Sequence, residues 1–149
     1  MRWTTAAVIA LVATAGGCLD PDVGGLEVPF CVDEDGDPSV DVSFSADIMP
    51  LFERTIAGCT WCHSPNASDP VGITVGGLDL SSHKQLMKGG STSSGTIVVA
   101  GAPCVSVLYL KLTTAPGSGS RMPRNGPPHF TTEELQLVHD WIAEGGLDN

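Results

Sequence analysis

The stretch Gly58-Cys59-Thr60-Trp61-Cys62-His63 limits what this chain can become more than any other. Two thiols separated by two residues lie on about one helical turn, and an imidazole follows directly, so three chemically active side chains issue from one tight turn. A chain built this way has to fold around whatever those groups hold, and its other elements must wall off a pocket for it. Three outcomes suit such a turn: a covalently attached haem, part of a zinc site, or a redox dithiol with a histidine beside it.

A structural zinc site needs four protein ligands, usually with a second pair of similar spacing. No second C-x-x-C and no H-x-x-x-H occurs, and His83, His129 and His139 are scattered. A thioredoxin-like dithiol needs alternating strands and helices, and the hydropathy pattern contains no repeating strand signal. Covalent haem fits the spacing: both thiols can form thioethers on one edge of the porphyrin while the adjacent histidine reaches the iron. Cys59, Cys62 and His63 are therefore the expected attachment residues for one haem c per chain.

The beginning of the chain bears on its compartment. Arg2 precedes an apolar run from Ala6 to Ala15, followed by Gly16, Gly17 and Cys18. About ten apolar residues fall short of the roughly 20 that span a bilayer, so residues 1–17 read as an export signal. Small residues directly before a cysteine resemble the bacterial lipoprotein signal, and that resemblance implies lipidation of Cys18 and a place on the periplasmic face of a membrane or at the cell surface. Ordinary cleavage that leaves Cys18 unmodified is the alternative.

An exported chain meets oxidising conditions, which gives meaning to its 5 cysteines. With Cys18 lipidated and Cys59 and Cys62 occupied, Cys31 and Cys104 remain as an expected disulfide; the alternative is one buried and one exposed thiol. Residues 18–42 are acidic: Leu19 to Val42 holds eight Asp or Glu and no Lys or Arg. Such a segment repels itself and buries little, so it is expected to be a flexible tether. Asp33 to Asp37 lacks the ligand spacing of a calcium loop. The net charge of -10 argues against nucleic acid as a partner.

Residues 43–149 are expected to form one small all-α domain with its terminal helices packed together and a loop-rich middle. The first helix is predicted over Ala46–Ala57, with Ser45 as N-cap and Ile48, Leu51, Phe52 and Ile56 as its apolar stripe. The last should be capped by Thr131 and Glu134 and stopped at Gly145, with Leu135, Val138, Trp141 and Ile142 on one face. Ser81 or Ser82 can start a short helix ended by Gly89 and Gly90, and Cys104–Leu112 is either a buried strand or, as the stripe of Val105, Leu108 and Leu112 favours, a further helix. Residues 64–78, 89–102 and 114–130 read as loops.

The order of these pieces, together with "DIMPLFERTIAGCTWCH", "GGLDLSS", "VAGAPCVSVLYLKL", "RMP" and "VHDWIAEGG", resembles the class I c-type cytochromes, particularly the haem domains of exported planctomycete and myxobacterial proteins. The extra Cys104 departs from that pattern. The resemblance implies that Met122, in a proline-bracketed loop, is the second axial ligand beside His63, with Met49, Met87, His129 and His139 as weaker candidates. Arg121 and Arg124 are possible propionate partners, Trp61 is expected to cover the ring edge, and Phe52 and Tyr109 to line pocket or core. Iron with both axial positions filled suits one-electron transfer between exported redox proteins rather than catalysis. A domain without Met122 ligation would instead be a five-coordinate haem enzyme or gas binder, and a zinc-bearing or haem-free structural lipoprotein module is a third reading.

Overall fold

The computed structural model describes residues 31–91, 93, 97–115 and 119–149. The export signal 1–17, Cys18 and the tether as far as residue 30 lie outside the described residues. The described chain is helical, with no strand among those residues, and none of its helices is long and apolar enough to cross a membrane.

A π-helical turn, Phe44–Ile48, runs directly into α1, Met49–Glu53. Both the start and the end differ from the sequence expectation. Ser43, rather than Ser45, is the N-cap: its hydroxyl accepts from the Ala46 N–H while its own N–H donates to Asp47. The helix can begin this early because Asn149 supplies acceptors to the next two unpaired donors, its Oδ1 to Phe44 N–H (2.8 Å) and its carbonyl to Ser45 N–H (3.0 Å). Helix α1 stops at Glu53, since Arg54 turns extended and its side chain reaches Glu134 (3.2 Å), the Pro128 carbonyl and the Phe130 ring. Ile56 consequently faces solvent, 65% exposed. These tertiary contacts outweigh the local helix signal over residues 54–57.

Short elements follow: a 3-10 turn at Cys59–Trp61, α2 at Val71–Thr74, α3 at His83–Leu86, a 3-10 turn at Pro103–Val105 and α4 at Val107–Leu112. Ser82 caps α3 through the Gln85 N–H, and Gly89 leaves it in the left-handed region (φ 71°). Helix α2 lies inside a stretch expected to be loop. Of the apolar stripe expected in α4, Leu108 and Leu112 are buried, whereas Val105 is exposed.

Helix α5, Thr132–Ala143, carries the capping box of Thr131 and Glu134. It ends in a Schellman pattern, with Gly145 N–H donating to Ile142 and Gly146 N–H to Trp141. Val138, Trp141 and Ile142 are fully buried, as are Ile48 and Phe52 of the first helical segment. Each such side chain contributes about 1.5–3 kcal/mol relative to exposure. The Phe44 and Trp141 rings, 5.4 Å apart, join the first helical segment to α5. His83 completes this seam, stacking edge-on against both rings and bonding through Nε2 to the Gly146 carbonyl.

Residues 31–42, expected to be flexible tether, instead lie along the domain. Cys31 is disulfide-bonded to Cys104 (S–S 1.99 Å). Asp33 accepts from the Cys104 N–H, Val32 O bonds His139 Nε2, and the Gly36 N–H donates to Asp140. Val42 is buried, and its N–H donates to Glu144. Composition missed this strap because its acidic residues act locally as acceptors and its polar backbone is satisfied by α5 and the loop at Cys104.

Candidate functional site

Gly58 opens the turn that carries Cys59, Cys62 and His63, and its tight contact explains why glycine stands there: a Cβ would lie 2.3 Å from the Arg54 carbonyl. The turn is closed by Cys62 N–H and His63 N–H, both donating to the Cys59 carbonyl. The Thr60 hydroxyl ties it to the end of α1 through the Phe52 carbonyl. Cys59 is buried and Cys62 half-buried. Burial pushes the Cys59 thiol up to about 11, with the Arg54 guanidinium acting in the opposite direction.

Residues 64–78 double back onto this turn. Gly72 N–H donates to the Cys62 carbonyl and Leu80 N–H to the His63 carbonyl, so the histidine is held on both sides. Its ring Nδ1 lies 3.0 Å from the Leu78 carbonyl. A carbonyl can only accept, so Nδ1 is the donor, and in the neutral imidazole the lone pair lies on Nε2. Gly72 makes room for the ring: a Cβ there would sit 2.4 Å from Nδ1. Gly72 and Leu78 are contacts of the His63 ring that the sequence did not suggest. Val71 and Val75 with Gly72 and Gly76 repeat at a spacing of four, a helical signal that would have exposed α2.

Met122 comes from the loop that follows α4. Its N–H donates to the Lys111 carbonyl at 2.7 Å, and Arg121 donates through Nε to the Leu112 carbonyl at 2.8 Å, so the loop is fastened to the end of α4. Pro123 follows, buried. Cys59, Cys62, His63 and Met122 all line one cavity of about 570 Å³, walled on its apolar side by Val71, Val75 and Pro123. That size lies within the range of about 300–1,000 Å³ common for ligand and cofactor sites.

Other expectations are redistributed. Arg124 lines the cavity, but Arg121 does not: its guanidinium is spent on the carbonyls of Leu112 and Phe130. Trp61 does not line the cavity either; it is 48% exposed and borders a separate groove. Phe52 is core, and Tyr109 packs on His139. His139 bonds Val32 and Asp140, Met49 packs against the core, and Met87 faces solvent, so none of these three shares the cavity with His63. His129 is packed over Gly126, also away from the cavity lining.

Among the described residues, the one group of three His, Cys, Asp or Glu side chains close enough to share a metal ion is Cys31, Cys104 and His139, within 4.8 Å of one another. Its sulfurs are joined in the disulfide. Cys59, Cys62 and His63 do not form such a group. The chemistry of the cavity is thus that of two thiols, an imidazole with an available Nε2 and a thioether facing a mainly apolar space. No family model, curated protein or solved structure matches this chain.

Proposed function

We propose that the protein is a membrane-tethered monohaem c-type cytochrome that carries single electrons between exported redox partners. One observation supports this above all: Met122, 59 residues beyond His63, lines the same cavity as the Cys59-Cys62-His63 turn. That donor set is the one covalent haem with histidine–methionine ligation requires. The Cys59 and Cys62 sulfurs would hold the group covalently, and His63 Nε2 and Met122 Sδ would bind its iron. When bound, haem would supply a one-electron iron couple, and the two protein donors would leave no place at the iron for a substrate.

The protein's own residues do the remaining work. The Leu78 carbonyl fixes the tautomer and tilt of His63. Attachment of Met122 to Lys111 and of Arg121 to Leu112 limits the movement of the thioether. Arg124 is the arginine available to a propionate at the cavity. With lipid on Cys18, 12 residues separate the anchor from the disulfide at Cys31, a contour of at most about 45 Å.

The deciding experiment is expression in a host with haem-attachment machinery, followed by visible and near-infrared spectroscopy. A covalent haem with a sulfur-to-iron band is expected, and Met122→Ala should abolish that band. Colourless protein with Cys59 and Cys62 still reactive would overturn the proposal. Prompt binding of carbon monoxide to the reduced protein would point to five-coordinate iron instead.

A further inference from the structure

A second groove, about 720 Å³ in volume, shares no lining residue with the cavity of Cys59. Trp61, which is 48% exposed, lines it. An aromatic ring this open is held here by a rigid backbone: Trp61 N–H donates to Gly58, and the turn is tied to α1 through Thr60. Around it stand Glu53, Asn66, Ser68 and Ser81. All four are exposed, and among the described residues their side chains have no hydrogen-bond partner. The groove therefore offers one flat apolar face ringed by uncommitted donors and acceptors.

That combination selects by chemistry. Nucleic acid and other polyanions are disfavoured, because Glu53 is the only charged residue lining the groove and is itself an anion. A protein partner's hot spot favours several buried apolar or aromatic anchors, and here the apolar lining is Trp61 and Ala67 alone. A quaternary ammonium is best held by a cage of aromatic rings, and one ring is present. A pyranose matches both parts: its C–H face stacks on an indole, and its hydroxyls need both donors and acceptors around the rim. We propose that the Trp61 groove binds a neutral pyranose of a glycan, with Asn66 and the two serines donating to ring and hydroxyl oxygens and Glu53 accepting from hydroxyls.

The site is separate from the cavity of Cys59 and does not depend on what that cavity holds. The test is calorimetric titration of the full mature chain with cellotetraose and with the N-acetylglucosamine tetramer. Saturable binding of at least one is expected, weakened about tenfold or more by Trp61→Ala and several-fold by Asn66→Ala and by Glu53→Gln. Trp61 is part of the attachment turn, whereas Asn66 and Glu53 are exposed and outside it, so those two variants keep the result interpretable if the first fails to fold. Absence of heat with both oligosaccharides would overturn the proposal. So would binding that none of the three variants alters, or saturable binding of choline with no response to the sugars.

Discussion

Replacing Gly72 with alanine tests how tightly α2 is fitted to the candidate ligand His63. The added Cβ would lie 2.4 Å from Nδ1, 2.5 Å from Cγ and 2.6 Å from Cε1 of the imidazole. Comfortable contact begins near 3.5 Å, so ring or helix must retreat by about 1 Å, and Nδ1 then loses its bond to the Leu78 carbonyl. Gly72 is not among the residues of positive φ. Alanine is therefore allowed in the backbone and is favoured in a helix by about 0.5–1 kcal/mol. Against this stand about 1–3 kcal/mol for overpacking and about 1 kcal/mol for the lost hydrogen bond. The balance is a destabilisation of about 1–3 kcal/mol, read from urea unfolding of parent and variant. In haem-loaded protein the same change should perturb the absorption bands, because the tautomer and tilt of His63 are released. An unchanged unfolding midpoint together with an unchanged spectrum would refute the argument that Gly72 exists to seat the imidazole.

Other consequences can be measured on the same protein. The Cys31–Cys104 disulfide closes a separation of 73 residues, for which loop entropy gives about 4 kcal/mol; Cys31→Ser with Cys104→Ser should lower the urea midpoint accordingly and open residues 31–42 to protease. Burial raises the pKa of Glu144, Asp35, Asp41 and Asp140 add to the rise, and the Val42 N–H opposes it. The folded protein thus holds this proton more tightly than the unfolded chain, and the associated stability, full below the unfolded carboxylate value, is lost as pH rises through the folded one. Glu144→Gln, which keeps an acceptor for Val42, should be more stable than the parent near pH 7, with the gap closing near pH 4; an equal gap at both would contradict the assignment. In protein made without haem attachment, iodoacetamide should label half-buried Cys62 before Cys59, whose thiol burial raises to about 11. Peptide mass mapping over time reads the order, and the reverse order would mean that the turn is open.

Some of this architecture was legible in short stretches of chain. The capping box at Thr131 and Glu134, the glycine stop at Gly145 and the stripe of Val138, Trp141 and Ile142 specify α5 without reference to anything distant. Elsewhere, distant groups overruled local signals. Arg54 abandons its helix for Glu134 and the Pro128 carbonyl, and Ser43 becomes a cap because Asn149 satisfies the donors that follow. The acidic strap read as unattached because charge composition says nothing about which backbone donors Asp33, Asp140 and Glu144 will meet.

For the candidate site the division is similar. The spacing of Cys59, Cys62 and His63 is a property of one turn, so the donor types and their mutual closeness follow from covalent connectivity. Which nitrogen of His63 is free depends on the Leu78 carbonyl; whether an arginine can reach the cavity depends on how the loop after α4 is pinned, and the answer is Arg124, with Arg121 held elsewhere. Helices and turns are encoded by neighbours a few residues apart. Pockets and proton positions are decided by groups farther along the chain, 15 residues for Leu78 and His63 and 59 for Met122 and His63, and only packing brings those together.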